Sequence, residues 1–373
     1  LPWVHFFHEP NGKFGPCCSA DKQAVEFGNI RDFATAQDIV NVPEMKSVRR
    51  AMMQGHEHEA CANCYRQERH GLESFRTSKN INIPESNLDW LLAKTEPDGT
   101  LHNFQMQYWD ARFSNVCNLK CRMCGPGYSH TWAQELNATV NGSYIIQAHD
   151  TTVWEDIIAK YGDLGELREV YFAGGEVFFQ QEHWAMLEHL RQLGMRDIRL
   201  TYVTNLTRLT LGTYNIEDYL TYFTNVLFIV SMDGLGSVFE YIRSGSNWSR
   251  FVANLDLIKK FKVNIRFNIV VTIYNILSLH QVLDFIDSNG FDKYDLSIAN
   301  YPVEQNITNL PPELKDLAQQ RLKNYPRAQG IINYMNQIPL TEWNVVMNRT
   351  NELDRVRKEN VLDIVPEFEP YWK

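Results

Sequence analysis

The sequence predicts an α/β protein with parallel strands, and three observations predict it. Short β-rich runs recur through the middle of the chain, helical spacing of apolar residues separates them, and the joining loops are short. Such alternation winds right-handed into a parallel sheet. At 373 residues, 44% hydrophobic and 22% charged, the composition is globular and excludes disorder or low-complexity repeats as the main architecture. Single cores rarely grow past about 250–300 residues, so more than one domain is expected.

The elements follow in order. WVHFFHEPNGKFGPCC holds two β-like runs about Pro10-Asn11-Gly12, a hairpin signal. An apolar-rich segment at 104–113 precedes a cysteine loop, and helical sequence follows near 130–137. The run 169–173 ends in AGGE, and 181–193 repeats Trp184, Leu187 and Leu190 at helical spacing before Gly194. Further strands are expected at 198–204, 226–232 and 264–273, with a helix over 247–261 carrying Phe251, Leu255 and Ile258. Beyond about 301, Leu310-Pro311-Pro312 leads into charge-mixed helical sequence ending near Phe368 to Trp372.

Several classes are excluded or disfavoured. No apolar run approaches the roughly 20 residues of a membrane span. The chain opens on Leu1 without a basic stretch followed by an apolar run, so no signal peptide is expected in it. With 36 Lys plus Arg against 45 Asp plus Glu, the net charge of -9 gives nucleic-acid phosphates no general reason to bind. Seven cysteines is an odd count in a long chain, which favours a reducing, cytoplasmic compartment over a disulfide framework. Six Asn-x-Ser/Thr triplets, the first at Asn137, are read as chance matches.

The cysteines carry the chemistry. Cys17, Cys18, Cys61 and Cys64 form one group and Cys117, Cys121 and Cys124 a second, with none afterwards. Cysteines used only as small hydrophobes would be spread through the core, so two metal sites are expected. CNLKCRMC aims three thiolates from one tight loop at a single centre. Thiolates select zinc, copper(I) or iron–sulfur clusters; a zinc site completed by His130 is the alternative for this loop. His56 and His58 beside Glu57 are read as solvated.

CNLKCRMC resembles the cluster-binding loop of the radical S-adenosylmethionine (SAM) superfamily. The resemblance implies that Cys117, Cys121 and Cys124, with Met123 among the cofactor contacts, hold a [4Fe–4S] cluster whose open iron chelates SAM. Reductive cleavage there yields a 5′-deoxyadenosyl radical that abstracts hydrogen from substrate. It also implies a partial (β/α)6 barrel with its site at the C-terminal ends of the strands. Gly174-Gly175-Glu176 resembles the superfamily's GGE motif for the SAM amino group, and glycines there let a ligand approach the backbone. Thr204 and Asn205 end the next strand as further SAM contacts, or as turn caps. Ser231 and Asp233 alternate onto one face for the SAM ribose or carboxylate, with Asp233 alternatively capping the turn at Gly234. Arg243 in YIRSG suits the methionyl carboxylate, or is a surface arginine.

The opening hairpin, Pro16-Cys17, Gly28-Asn29-Ile30, Arg49-Arg50 and CANC together resemble the SPASM or twitch auxiliary-cluster module, here placed before the barrel. The resemblance implies a second [4Fe–4S] cluster on Cys61 and Cys64 with Cys17, Cys18 or both; a zinc knuckle of the four cysteines is the alternative. The expected division is a module at 1–100, a barrel at 101–300 and a helical cap at 301–373. The leading function is a radical SAM enzyme acting on a peptide or protein side chain, reduced by a flavodoxin or ferredoxin. Aromatic residues at 12% suit an extended peptide. Residues 1–70 are occupied by the module, leaving no separate amino-terminal recognition domain evident, so dehydrogenation or epimerisation of a sugar or other small molecule stays open. An iron–sulfur electron carrier or a zinc-stapled binding protein is the non-catalytic alternative, and neither explains GGE or the Ser231/Asp233 pair.

Overall fold

The structure, a computed structural model, describes residues 1–69, 74–80, 86–162 and 164–372. Its strands are β1 (His5–His8), β2 (Phe14–Gly15), β3 (Tyr108–Ala111), β4 (Glu169–Phe172), β5 (Arg199–Thr204), β6 (Thr210–Leu211), β7 (Tyr214–Asn215), β8 (Asn225–Ser231), β9 (Asn264–Val271) and β10 (Tyr294–Ile298). Strands β3, β4, β5, β8 and β9 are each followed by helix before the next long strand, and β10 leads into the helical C-terminal segment. This is the α/β repeat that the apolar periodicity predicts. The expected helices lie at Gln181–Gln192, ended by Gly194 at φ 73°, and at Trp248–Ile258, capped by the Asn247 side chain accepting from the Arg250 N–H.

The chain forms two compact units. The first comprises Leu1–Val116, Thr139–Tyr202 and Thr210–Val226; the second comprises Cys117–Ala138, Val203–Leu209 and Leu227–Lys373. These divisions fall elsewhere than sequence boundaries near 100 and 300. In the first unit β4 pairs in parallel with β3 and with β5, and the hairpin at Pro10-Asn11-Gly12 joins β1 to β2 antiparallel. Strand β1 also lies parallel to β3, with Phe6 opposite Trp109 and Phe7 opposite Asp110. The cysteine module is thereby hydrogen-bonded to the first strand of the α/β repeat. A module boundary near residue 100 is hidden in the fold because the sheet crosses it.

Alternation on these strands separates two faces. Trp109, Val170, Phe172, Leu200 and Tyr202 are buried on one side, where Trp109 packs against Tyr161 at 4.4 Å between ring centres. Tyr108, Asp110, Glu169, Tyr171 and Thr201 occupy the other, and Arg112 pairs with Asp110 at 2.8 Å. In the second unit β9 pairs in parallel with β8 and β10. The segment after β10 is helical, at Pro312–Leu322, Gln329–Met335, Trp343–Arg357 and Val361–Ile364. No helix among the described residues is long and apolar enough to cross a membrane.

Arg49 holds the cysteine module together. Its helix, Pro43–Met53, begins with Pro at the first turn, where a missing N–H costs nothing. The fully buried guanidinium donates to the Gly99 carbonyl at 2.7 Å, the Val40 carbonyl at 2.7 Å, the Pro2 carbonyl at 3.1 Å and Asn41 Oδ1 at 3.0 Å. Four acceptors from three separate stretches of sequence thus share one donor group. Arg49→Leu is expected to lower stability by about 3 kcal/mol or more, because each abandoned buried acceptor costs about 1–3 kcal/mol. Denaturant unfolding of the variant against the parent checks this.

Candidate active site

The loop 117–124 is irregular, and the residues after it satisfy its backbone. Ser129 caps the helix His130–Glu135, and its hydroxyl donates to the Leu119 carbonyl at 2.7 Å. His130 Nδ1 accepts from the Cys117 N–H at 3.0 Å, and the Thr131 hydroxyl donates to the carbonyls of Cys117 and Leu119 at 3.2 and 2.9 Å. Trp132 Nε1 donates to the Cys121 carbonyl at 2.8 Å. Four consecutive residues, Ser129 to Trp132, therefore template the loop. His130 spends a ring nitrogen on the loop backbone, as a scaffold residue.

From the other side the loop pairs with the segment after β8. The Lys120 N–H donates to the Ser244 carbonyl at 2.9 Å and the Arg122 N–H to the Ile242 carbonyl at 2.8 Å. Between those partners stands Arg243. It is buried at 7% exposure, which removes the surface-arginine reading. Its guanidinium pairs with Asp233 Oδ2 at 2.7 Å and reaches Cys121 Sγ at 3.7 Å. Asp233 Oδ1 accepts from the Val270 N–H at 2.7 Å. Burial pushes the Asp233 carboxyl upward and the adjacent guanidinium opposes that shift. Both carboxylate oxygens of Asp233 are thus engaged within the protein.

Asn205 treats a second sulfur likewise. Its amide nitrogen lies 3.8 Å from Cys117 Sγ and 3.2 Å from Asn118 Oδ1, while its carbonyl oxygen accepts from the Thr207 N–H and hydroxyl. Thr204 Oγ accepts from the Leu206 N–H at 2.9 Å, the turn-capping geometry. Ser231 is buried at the end of β8, and Met123 is half-buried in the loop. Two residues expected to touch SAM therefore contact the sulfurs of the loop. Burial pushes the Cys121 thiol up to about 12 and raises Cys124 as well. Thiols so placed ionise when a metal's charge replaces the lost hydration, which fits a cluster site. Among the described residues, no group of three His, Cys, Asp or Glu is arranged around a single metal ion.

In the first unit, Gly174-Gly175-Glu176 follows β4. The Gly175 N–H donates to the Ser114 carbonyl at 3.0 Å and the Glu176 N–H to the Val116 carbonyl at 2.7 Å. A Cβ on Gly175 would stand 2.2 Å from the Val116 carbonyl oxygen, and Gly174 takes φ 109°. Close approach by the chain's own backbone, rather than by a ligand, is what these glycines are seen to permit. Glu176 is buried at 1% exposure, so the solvated-turn reading does not apply.

The amino-terminal cysteines divide. Cys61 ends the turn Glu59–Cys61 and Cys64 lies one helical turn on in Ala62–Arg69, which puts both on one face. They line a cavity of ≈ 650 Å³ with Cys17, Tyr65 and Arg76. Burial, reinforced by the other cysteines, pushes the Cys17 thiol up to about 12. Cys18 lies near the Asp110–Arg112 pair, whose charges act on its thiol. It stands in a turn beside Cys17 and is not among the residues lining that cavity. Pro16 fixes the register through its carbonyl, 3.0 Å from His5 Nδ1. His58 is a cap rather than a solvated side chain: Nδ1 accepts from the Ala60 N–H at 3.2 Å and Nε2 meets the Ser47 hydroxyl at 2.9 Å. All seven cysteines are free thiols.

The family model "Radical SAM superfamily" matches residues 112–286, which contain the three-cysteine loop, the GGE segment, Asn205, Asp233 and Arg243. Residues 112–286 carry a radical SAM domain. The SPASM model, an iron–sulfur cluster-binding domain, matches residues 1–65. The two matches support [4Fe–4S] clusters and SAM as the chain's cofactors. No curated protein matches the chain. Among solved structures, native anSMEcpe with bound AdoMet is 18% identical, with a TM-score of 0.39 and 59% of each chain covered. Native anSMEcpe with AdoMet and the Cp18Cys peptide is 19% identical with a TM-score of 0.36, covering 59% of this chain and 62% of that one. TYW1 with a lysine-pyruvate adduct is 13% identical with a TM-score of 0.31, covering 59% and 71%.

Gly175→Ala tests the backbone packing. It is expected to cost about 1–3 kcal/mol or more, since carbonyl and strand end must separate to admit the methyl. A melting temperature equal to that of the parent would contradict the close approach.

Proposed function

We propose that the chain is a peptide-modifying radical SAM enzyme with two clusters. Cys117, Cys121 and Cys124 are assigned the SAM-binding [4Fe–4S] cluster, and Cys17, Cys61 and Cys64 the auxiliary one. Cys18 is left out because it does not line the cavity that the other three share. When bound, the loop cluster and SAM supply the 5′-deoxyadenosyl radical that takes hydrogen from substrate. The electron is assigned to an external flavodoxin or ferredoxin, and the free thiols fit a reducing cytoplasmic compartment.

The chain's own residues have definable parts. Asn205 and Arg243 give N–H groups to the Cys117 and Cys121 sulfurs; donors to cluster sulfurs raise the reduction potential. Asp233 holds the Arg243 fork in one orientation, so that the guanidinium is aimed rather than mobile. Gly174, Gly175, Glu176, Thr204, Ser231 and Met123 are assigned SAM contacts, with Glu176 accepting from its ammonium group. The module at 1–100, the α/β repeat at 101–300 and the helical segment at 301–373 are taken as the functional divisions.

The observation that carries the peptide reading is the coexistence of a SPASM match with a radical SAM match in one chain. Modules of this kind accompany peptide maturation, and exposed Tyr301, Ile338 and Leu340 offer apolar surface to an extended chain. The test compares 5′-deoxyadenosine formation and substrate mass change, under anaerobic reducing conditions, between peptides encoded near the gene and a carbohydrate panel. Mass change confined to carbohydrates refutes the peptide assignment.

The cluster assignment predicts separable losses. Replacing Cys117, Cys121 and Cys124 by Ala is expected to abolish SAM cleavage, whereas replacing Cys17, Cys61 and Cys64 removes about four irons and spares the SAM-responsive EPR signal. Cys18→Ala should keep the full iron content. Iron and sulfide counting with EPR on each variant decides all three.

A further inference from the structure

We infer that the helical segment after β10 braces the three-cysteine loop, with Arg122 as hub and Gln305, Asp354 and Glu359 as positioning residues. The inference rests on the reading of that loop as the SAM-cluster site. Residues 287–372 lie outside the radical SAM match, and no role has been assigned to their contacts with the loop.

Arg122 stands between Cys121 and Met123 and is completely buried. Its guanidinium forms ion pairs with Asp354 and Glu359, donates to the Tyr241 carbonyl at 3.1 Å, and lies 3.6 Å from the centre of the Tyr241 ring. Its own carbonyl accepts from the Gln305 amide. An arginine in such a place is costly unless its charge is paired and its donors are used. Both carboxylates that pair with it come from the helix Trp343–Arg357 and the turn that ends it. Asp354 is itself fixed by the Tyr241 hydroxyl at 3.0 Å and the Val361 N–H at 2.7 Å.

The turn after the helix is shaped for this. Lys358 takes a left-handed conformation at φ 58°, which closes the helix Trp343–Arg357 and turns Glu359 back toward Arg122. Glu359 also accepts from the Ser244 hydroxyl at 2.9 Å, and Arg357 reaches the same hydroxyl at 3.2 Å and pairs with Glu135 at 2.8 Å. Lys120 completes the set by pairing with Glu135. The brace therefore grips the loop at residues 120 and 122 and grips residue 244, beside Arg243. Displacement of Arg122 moves the Cys121 sulfur and its guanidinium neighbour together. A loop tethered only through residues 129–132 and 242–244 would lack this restraint.

Asp354→Asn removes the charge while keeping the shape, and Glu359→Gln is a gentler change at a side chain 25% exposed. The full chain is purified anaerobically; iron and sulfide, the EPR signal of the reduced cluster with and without SAM, SAM affinity and thermal unfolding are measured together. Asp354→Asn is expected to lose or shift the SAM-responsive signal and weaken SAM binding several-fold, with iron on Cys17, Cys61 and Cys64 retained. Glu359→Gln should move the same readouts less, in a folded chain, and so decides the matter if Asp354→Asn does not fold. Asp354→Glu should recover the signal. Wild-type spectra and SAM affinity in folded Glu359→Gln, and in Asp354→Asn where it folds, overturn the brace. A parent chain with no SAM-responsive signal overturns the cluster reading instead, and Cys117→Ala separates the two cases.

Discussion

An eight-residue loop that presents three thiols has no regular ladder to satisfy its peptide groups, and buried peptide groups must find partners. Much of the second unit answers that need. Ser129 to Trp132 take its N–H and C=O groups from one side, and Ile242 and Ser244 take others by backbone bonds. The helix after the loop starts where it does because Ser129 both caps that helix and reaches back to Leu119. Once the backbone is fixed, the sulfurs need only short-range tuning. Asn205, just after β5, and Arg243, at the C-terminal end of the helix Gly236–Ile242, are placed where they can provide it.

The first unit meets a related constraint by removing atoms rather than adding bonds. At Gly175 the strand end lies against residues 114–116 so closely that a single methyl would collide with a carbonyl. In the amino-terminal module the same density is reached through Arg49, whose donors replace a stretch of missing regular structure. Both devices make irregular backbone rigid without enlarging the apolar core. Their energetic risk is similar, because each fails when one group is changed.

Much of the fold was legible because its signals are local. Period-two and helical spacing placed β3, β4, β5, β8 and β9 and the helices Gln181–Gln192 and Trp248–Ile258 within a few residues, and CNLKCRMC with GGE pointed to the family before any geometry. The pairing of β1 with β3 was not legible, since strand partners a hundred residues apart leave no mark on either strand alone. The strand β10, YDLSI, is short and alternates weakly, so it went unread among its neighbours. At the site, residue types were read well and their contacts less so. Asp233 and Arg243 each suit a ligand by chemistry, but a sequence cannot reveal that they first satisfy each other. Ser129 to Trp132 could have been suspected from a capping serine just after the loop. The Cys17/Cys18 ambiguity needed the direction of each side chain, which depends on how Pro16 is anchored.

The pairing of β1 with β3 bears on chain entropy. His5 meets Tyr108, and Cys17, Cys61 and Cys64 all fall inside the loop which that pairing closes. A metal bridge across those cysteines would shorten the closed loop by roughly half, and each halving of a flexible loop recovers only about 0.6 kcal/mol. That is small beside the roughly 1–3 kcal/mol at stake in each buried acceptor of Arg49. Relief of that closure cost is therefore a weak contribution to the pairing of β1 with β3. The module's order at rest depends on side-chain packing, and any larger effect of cluster insertion must come from the strength of the iron–thiolate bonds.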